Sequence, residues 1–482
     1  MKIYLSGHEY RYAAEQALMS FFPELRPEYS EGAEPEGDCV ILALDGAKAS
    51  AELRLNGRTA RGEAEADGAV PESGTERDRL LQKLVKLAFF RAAVELRGSA
   101  PPWGALTGVR PVKLAAKYMR QTGLGPAETA GYMTEEYCVS PLRAELCARA
   151  AEYSQKADAE LEENDVLLYV GIPFCPSRCS YCSFVSSSVE KSLALIGDYI
   201  EALVREIRAA GQLAAKHGMK IAAVYFGGGT PTTLSARELD RLMGELADSF
   251  DLSRLREYTV EAGRPDTVTG EKLETLRRRG ADRISINPQT MNDRVLAAIG
   301  RRHTAGDVLA AYALTKEHFP GDINMDLIAG LPEDSPDSFR RSLDAVLGLG
   351  PENITVHTLT MKRSSRLSAE GGGIPAGEAA AEMLGHAYSV LPGAGFSPYY
   401  LYRQKFSAGG FENTGWCLRE HESLYNIGMM EELRSVIALG AGGATKLVHP
   451  ESGKIDRVFN KKYPYEYIAS PGCVPELEKL LG

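Results

Sequence analysis

Cys175, Cys179 and Cys182 fall within eight residues of the stretch YVGIPFCPSRCSYCSF, in a chain that holds only eight cysteines among 482 residues. Scattering eight cysteines at random over this length produces such a triplet on the order of 0.002 times, so the spacing calls for a cause. Thiolates at steps of four and three are metal ligands. Structural zinc takes four, often as two C-x2-C pairs. Here Cys138 and Cys147 lie upstream in helical sequence and Cys417 and Cys473 far downstream, so a zinc site would need His303 or His357 as its fourth ligand. Three thiolates on a loop after a strand better suit a 4Fe-4S cluster, with cysteine on three of its irons. The fourth iron then keeps an open coordination position, where chemistry can occur.

The elements that must position this loop are readable from residue 165 onward. Apolar strand-like segments (VLLYVGIPF, IAAVYFGG, EYTVEA, RISINPQ, INMDLIAGLP, NITVHTLT) alternate with amphipathic helical ones such as SARELDRLMGELADSF. Strand followed by helix, six times over, predicts a parallel sheet with right-handed crossovers. The expected class is α/β, as a partial (β/α)6 barrel or a doubly wound open sheet. In either, the strand C-termini share one side. Cys175, the GGGT segment at 227–230, Glu261 and Gln289 all fall there. Residues 1–100 read as an α+β module, with strands MKIYLSG, CVILALDG and ASAELRLNG and a helix from Glu76 to Leu96. A helical connector (101–164), the barrel (165–360) and a C-terminal substrate-covering region (361–482) complete the expected domains.

Hydrophobic content of 44% and charged content of 25% are those of a soluble globular chain. The net charge of −10 argues against binding nucleic acid through bulk electrostatics. No apolar run is long enough to span a bilayer, and the N-terminus lacks the pattern of a secretory signal. So few cysteines form no disulfide framework, and a cytoplasmic location is expected.

The C-x3-C-x2-C loop, with the aromatic Tyr181 before its last cysteine, resembles the cluster loop of the radical S-adenosylmethionine (SAM) enzymes. The resemblance implies that Cys175, Cys179 and Cys182 ligate a 4Fe-4S cluster and that SAM chelates the open iron. One electron then cleaves the sulfonium, and the resulting 5′-deoxyadenosyl radical abstracts hydrogen. Gly228, Gly229 and Thr230 match the glycine-rich segment that holds the methionine amino group. Further positions match the oxygen-independent coproporphyrinogen oxidase branch: Tyr169 stands six residues before Cys175, and Glu261, Gln289, Arg301 and Asp326 follow in order at or after strand ends. By resemblance the last four contact SAM. Carboxylates suit ribose hydroxyls and cationic groups, and Arg301 suits the methionine carboxylate.

The front module and PPWGALTGVRPVKL resemble the HemZ-type members of that branch. The implied reaction is decarboxylation of two coproporphyrinogen III propionates to vinyl groups, giving protoporphyrinogen IX. The implied partners are a tetrapyrrole and a one-electron donor such as flavodoxin or ferredoxin. Arg403 and Lys405, in SPYYLYRQKF, are candidates to pair the propionates. Phe184 occupies the position at which the established oxidases carry a further cysteine. Two alternatives stand beside this reading. One is a heme-binding chaperone, whose H-N-x-x-Y-W motif is HESLYN here, with His421 as candidate ligand. The other is a radical SAM methyltransferase acting on heme or another tetrapyrrole. The glycine-rich LGAGGATK lacks the lysine placement of a P-loop and is expected to follow no clear strand.

Overall fold

The computed structural model describes residues 1–30, 35–182, 187–188, 193–360, 365–369, 377–404 and 407–482. It divides into two compact units, Met1–Ala148 and Arg149–Gly482.

The first unit is built on a sheet of β1 (Lys2–Ser6), β2 (Glu28–Tyr29), β3 (Cys39–Asp45), β4 (Lys48–Leu55) and β5 (Arg58–Glu65), in the order β2-β1-β3-β4-β5. Helix Thr75–Arg97 lies on β5 and β4. The β5 sequence RTARGEAE carries no large apolar residue, yet Ala60 and Ala64 are buried. Its face is small because the helix sits directly on it: a Cβ at Gly62 would meet the Ala88 carbonyl and the Ala92 amide. Helices Pro111–Thr122, Pro126–Tyr137 and Pro141–Glu160 follow. Each starts on proline, whose missing N–H costs nothing at a first helical position.

The second unit holds the expected parallel strands: β6 (Asp165–Ile172), β9 (Lys220–Gly228), β10 (Glu257–Glu261), β11 (Arg283–Ser285), β12 (Asp322–Ala329) and β13 (Asn353–Thr358). A two-residue pairing of β7 (Phe174–Cys175) with β8 (Ser187–Ser188) lies beside β6 in sequence. Capping boxes at Ser235/Glu238 and Thr304/Asp307 start the helices Ala236–Ser249 and Ala305–His318 between strands.

The C-terminal segment extends this sheet at both ends. β15 (Glu412–Cys417) adds antiparallel to β13, and β14 (Ser397–Arg403) adds antiparallel to β15 at the sheet edge. β16 (Val436–Leu439) pairs parallel to β6 as a seventh parallel strand, followed by β17 (Ala444–His449) and β18 (Lys454–Phe459). This corrects one expectation: LGAGGATK does follow a strand, a four-residue one too short to declare itself in sequence.

Within β10 to β13 apolar and polar residues alternate, and the pleat turns that into two faces. Val260, Ile284, Met325, Leu327, Ile354 and Val356 are wholly buried on one face. Glu261, Asn324, Asp326, Thr355 and His357 line a cavity on the other. The barrel lumen is therefore polar. Helix Leu424–Glu431, capped by the Ser423 hydroxyl, supplies Tyr425, Met429 and Met430 to that cavity.

Candidate active site

The cavity is about 600 Å³, and Cys175, Cys179, Cys182, Tyr169, Tyr181, Gly228, Gly229, Thr230, Glu261, Gln289, Arg301 and Asp326 all line it. The positions singled out in the sequence thus meet in one place. Arg403 does not line the cavity; its guanidinium donates to the Gly410 carbonyl at 3.4 Å. Lys405 and Phe184 lie outside the described residues.

The GGGT turn is built to hold the cysteine loop. The Gly229 amide donates to the Ile172 carbonyl at 2.8 Å and the Thr230 amide to the Phe174 carbonyl at 2.7 Å. Gly228 has φ +103°, and a Cβ on Gly229 would stand 2.6 Å from the Phe174 oxygen. The Thr230 hydroxyl reaches Cys175 Sγ at 3.5 Å. On the far side, the Ser180 amide donates to the Ile299 carbonyl at 3.0 Å and the Ser177 hydroxyl to the Gly300 carbonyl at 3.1 Å. Gln289 sits at φ +68°, held by its amide on the Asp326 carbonyl at 2.8 Å. Side chains other than glycine hold that conformation at a cost, which is common where residues serve a site.

Two buried cations face the loop. Arg264 is 3% exposed; Nη2 donates to Ser177 Oγ at 2.9 Å and Nη1 lies 3.8 Å from Cys179 Sγ. Arg301 is 8% exposed and donates to the carbonyls of Asn287 (2.5 Å) and Gly263 (3.4 Å) and to the Tyr181 hydroxyl (3.4 Å). Among the described residues it also faces the Cys179 thiol, it meets no carboxylate, and Nε has no partner. A buried guanidinium without a carboxylate is costly unless an anion balances it. Cysteinates and the carboxylate of SAM are such anions, so the donor set fits both cofactors. His303 adds no charge there, because burial and the two arginines lower its pKa to about 4.

The zinc alternative does not fit. His303 is not among the lining residues, and His357 faces Asp326, Nε2 to Oδ2 at 3.6 Å. Among the described residues, no three His, Cys, Asp or Glu converge on a single ion position.

Across the cavity the chemistry changes. The Tyr225 hydroxyl donates to Glu261 at 2.6 Å, and burial raises the Glu261 carboxyl to about 7. Tyr225 stacks on Tyr425 at 4.6 Å between centroids, and Tyr400 and Tyr402 add to the same lining. Lys446 of β17 also lines it, its ammonium 3.4 Å from the Met429 carbonyl. Sequence reasoning missed Arg264, Tyr225, His357 as an Asp326 partner, and Lys446. The first three were signalled by strand alternation and the GRP after β10. Lys446 had no local signal.

Residues 169–346 match the radical SAM superfamily. The oxygen-independent coproporphyrinogen-III oxidase-like protein HemZ of Bacillus subtilis is 39% identical over 375 residues, covering 77% of this chain and 75% of HemZ. The chain belongs to the radical SAM superfamily, in its HemZ-like branch. Like other radical SAM proteins, it uses a 4Fe-4S cluster and SAM. The heme chaperone HemW of B. subtilis is 31% identical over 312 residues, 62% of this chain and 77% of HemW. Among solved structures, the coproporphyrinogen III oxidase HemN of Escherichia coli shares the fold, with a TM-score of 0.53 at 22% identity over 67% of this chain and 73% of HemN. Among the described residues no helix is long and apolar enough to cross a membrane.

Proposed function

We propose that this radical SAM protein decarboxylates two propionates of coproporphyrinogen III to vinyl groups, giving protoporphyrinogen IX. One observation supports it above the rest: the cysteine loop, the glycine turn and the polar strand ends share a single cavity with a tyrosine-rich wall and Lys446. When bound, the cluster and SAM supply a carbon radical able to take hydrogen from an unactivated C–H bond.

The chain's own residues do the rest. Cys175, Cys179 and Cys182 hold the cluster. Gly228, Gly229 and Thr230 offer backbone groups to the methionine amine, and Arg301 balances its carboxylate. Glu261, Gln289 and Asp326 receive the nucleoside. Tyr400, Tyr402 and Tyr425 offer flat faces to a tetrapyrrole, and Lys446 pairs a propionate. Each propionate loses one hydrogen atom, one electron and CO₂, so the cycle takes a one-electron acceptor besides the flavodoxin- or ferredoxin-class donor.

The test is an anaerobic incubation of reconstituted protein with SAM, reductant and coproporphyrinogen III, read by mass spectrometry. The reading requires 5′-deoxyadenosine and a product lighter by two formic-acid equivalents. Deoxyadenosine beside unchanged substrate overturns the substrate assignment.

The similarity to HemW favours a second reading, a heme-holding protein without turnover. His421, its candidate ligand, bonds Asp322 at 2.8 Å, and its carbonyl accepts from Arg283 and Asn353. Those three residues begin β12, β11 and β13, the strand ends opposite the cysteines. Heme binding that His421→Ala abolishes would support ligation there; unaltered binding would leave His421 a structural residue.

A further inference from the structure

β17 gives the cavity Ala444 and Lys446, and the turn before it gives Gly442. The wall does not end at that strand. β18 pairs antiparallel with β17, with Phe459 opposite Ala444 and Arg457 opposite Lys446. Residues opposite one another in an antiparallel pair share a face of the sheet. Arg457 and Phe459 therefore continue, one strand further out, the face that Lys446 and Ala444 present to the cavity. The other face is core: Thr445, Leu447 and Val458 are buried. Two bonds hold the end of β18 to the cavity turn. The Gly442 amide donates to the Lys461 carbonyl and the Asn460 amide to the Gly443 carbonyl, both at 2.9 Å.

Neither side chain is taken up by packing. Phe459 is 65% exposed, on the last strand of the sheet. An exposed apolar side chain is ordinary by itself; this one lies on the face that leads into the cavity. Arg457 is exposed as well, and its Nη2 meets Glu432 Oε1 at 3.5 Å. That contact engages one of the five N–H groups of a guanidinium.

Volume argues in the same direction. About 600 Å³ is what a single drug-sized ligand fills. On the reading above, the cavity receives the cluster, SAM and a macrocycle of four pyrroles with four propionates. Part of the macrocycle then lies outside it.

We propose that Arg457 and Phe459 form an outer subsite for the tetrapyrrole, Phe459 against a pyrrole ring and Arg457 against a propionate that is not reacting; the inference rests on the tetrapyrrole reading above. A guanidinium meets a carboxylate with two parallel N–H groups, and an aromatic ring offers a flat apolar face. With Lys446 on the inner strand, paired strands then carry two cations for carboxylates. Such a wall distinguishes tetrapyrroles by where their propionates stand.

The experiment measures coproporphyrinogen III binding to the reconstituted full chain by anaerobic equilibrium dialysis. SAM is left out so that no turnover intervenes, and the tetrapyrrole is read by fluorescence after oxidation to coproporphyrin. Phe459→Ala and Arg457→Gln should each weaken binding at least fivefold. Phe459→Trp and Arg457→Lys should bind more tightly than those two variants. Leu309→Ala, at an exposed leucine of helix Ala305–His318, should match wild type. Binding that Phe459→Ala and Arg457→Gln leave unchanged overturns the subsite while the tetrapyrrole reading stands. A loss that Phe459→Trp and Arg457→Lys show in full also overturns it, because the two residues are then supports of the sheet edge. Wild-type protein that binds no coproporphyrinogen III overturns the tetrapyrrole reading, and this inference with it.

Discussion

Arg264 Nη1 stands 3.8 Å from Cys179 Sγ while Nη2 holds Ser177 Oγ at 2.9 Å, so one buried guanidinium grips the cysteine loop at two points. Asp266 pairs its Nε side at 3.4 Å. A donor and positive charge on a cluster thiolate favour the reduced, more negative state. Arg264→Met should lower the cluster's reduction potential enough to cut the reduced fraction about tenfold at fixed ambient potential, about 59 mV for one electron. Arg264→Lys should restore part of it. An EPR-monitored redox titration decides; an unmoved potential leaves Arg264 a packing residue.

Cys175, Cys179 and Cys182 share the cavity, whereas Cys417 lies wholly buried on β15, its thiol pushed up to about 12 by burial. Changing any one of the three to alanine should abolish the iron–sulfur absorbance and SAM cleavage. Cys417→Ala should keep both. Cluster loss on Cys417→Ala alone would contradict the three-thiolate reading.

Glu261 has its carboxyl raised to about 7 by burial, against the lowering effect of the Tyr225 hydroxyl. The folded protein then holds this proton more tightly than the unfolded chain. Its contribution is full below the ordinary carboxylate pKa of about 4.3 and is lost as pH rises through about 7. Thermal melts of the cofactor-free protein should show that loss, and Glu261→Gln should flatten it. Tyr225→Phe should move the inflection to higher pH, because the removed hydrogen bond favours the carboxylate.

Gly229 and Gly348 make a controlled pair. A Cβ at Gly229 meets the Phe174 oxygen, whereas at Gly348, inside helix Pro336–Leu349, it meets nothing within 4 Å. Gly229→Ala should destabilise by about 1–3 kcal/mol through backbone displacement and impair cluster incorporation. Gly348→Ala should stabilise by about 0.5–1 kcal/mol. Melting temperatures and iron content per chain check both.

The parallel strands were legible because they are apolar, β-prone segments set between turns and amphipathic helices. β5 was not, since its buried face is Ala60, Gly62 and Ala64, residues too small to mark a strand. β16 was hidden by its length of four residues. The cysteines, the glycine turn and the carboxylates at strand ends could be assembled because each follows its strand directly, and strand direction places all such ends together. Arg403 and His421 could not be judged this way. Arg403 lies outside the cavity lining and His421 at the opposite strand ends, and neither fact is written in neighbouring residues.

The sequence by itself determined the donor set, the succession and common direction of the parallel strands, and the side of the sheet on which chemistry occurs. Those follow from residue type, period and chain direction, all local properties. Only the tertiary structure decided that the lumen is polar, that Arg264 and not Arg403 stands over the site, and that Lys446 enters it from β17. These depend on which face of each pleat turns inward and on the pairing of β16 with β6, two strands far apart in the chain. Burial selects that pairing by summing over the whole core, and no window of sequence contains the sum.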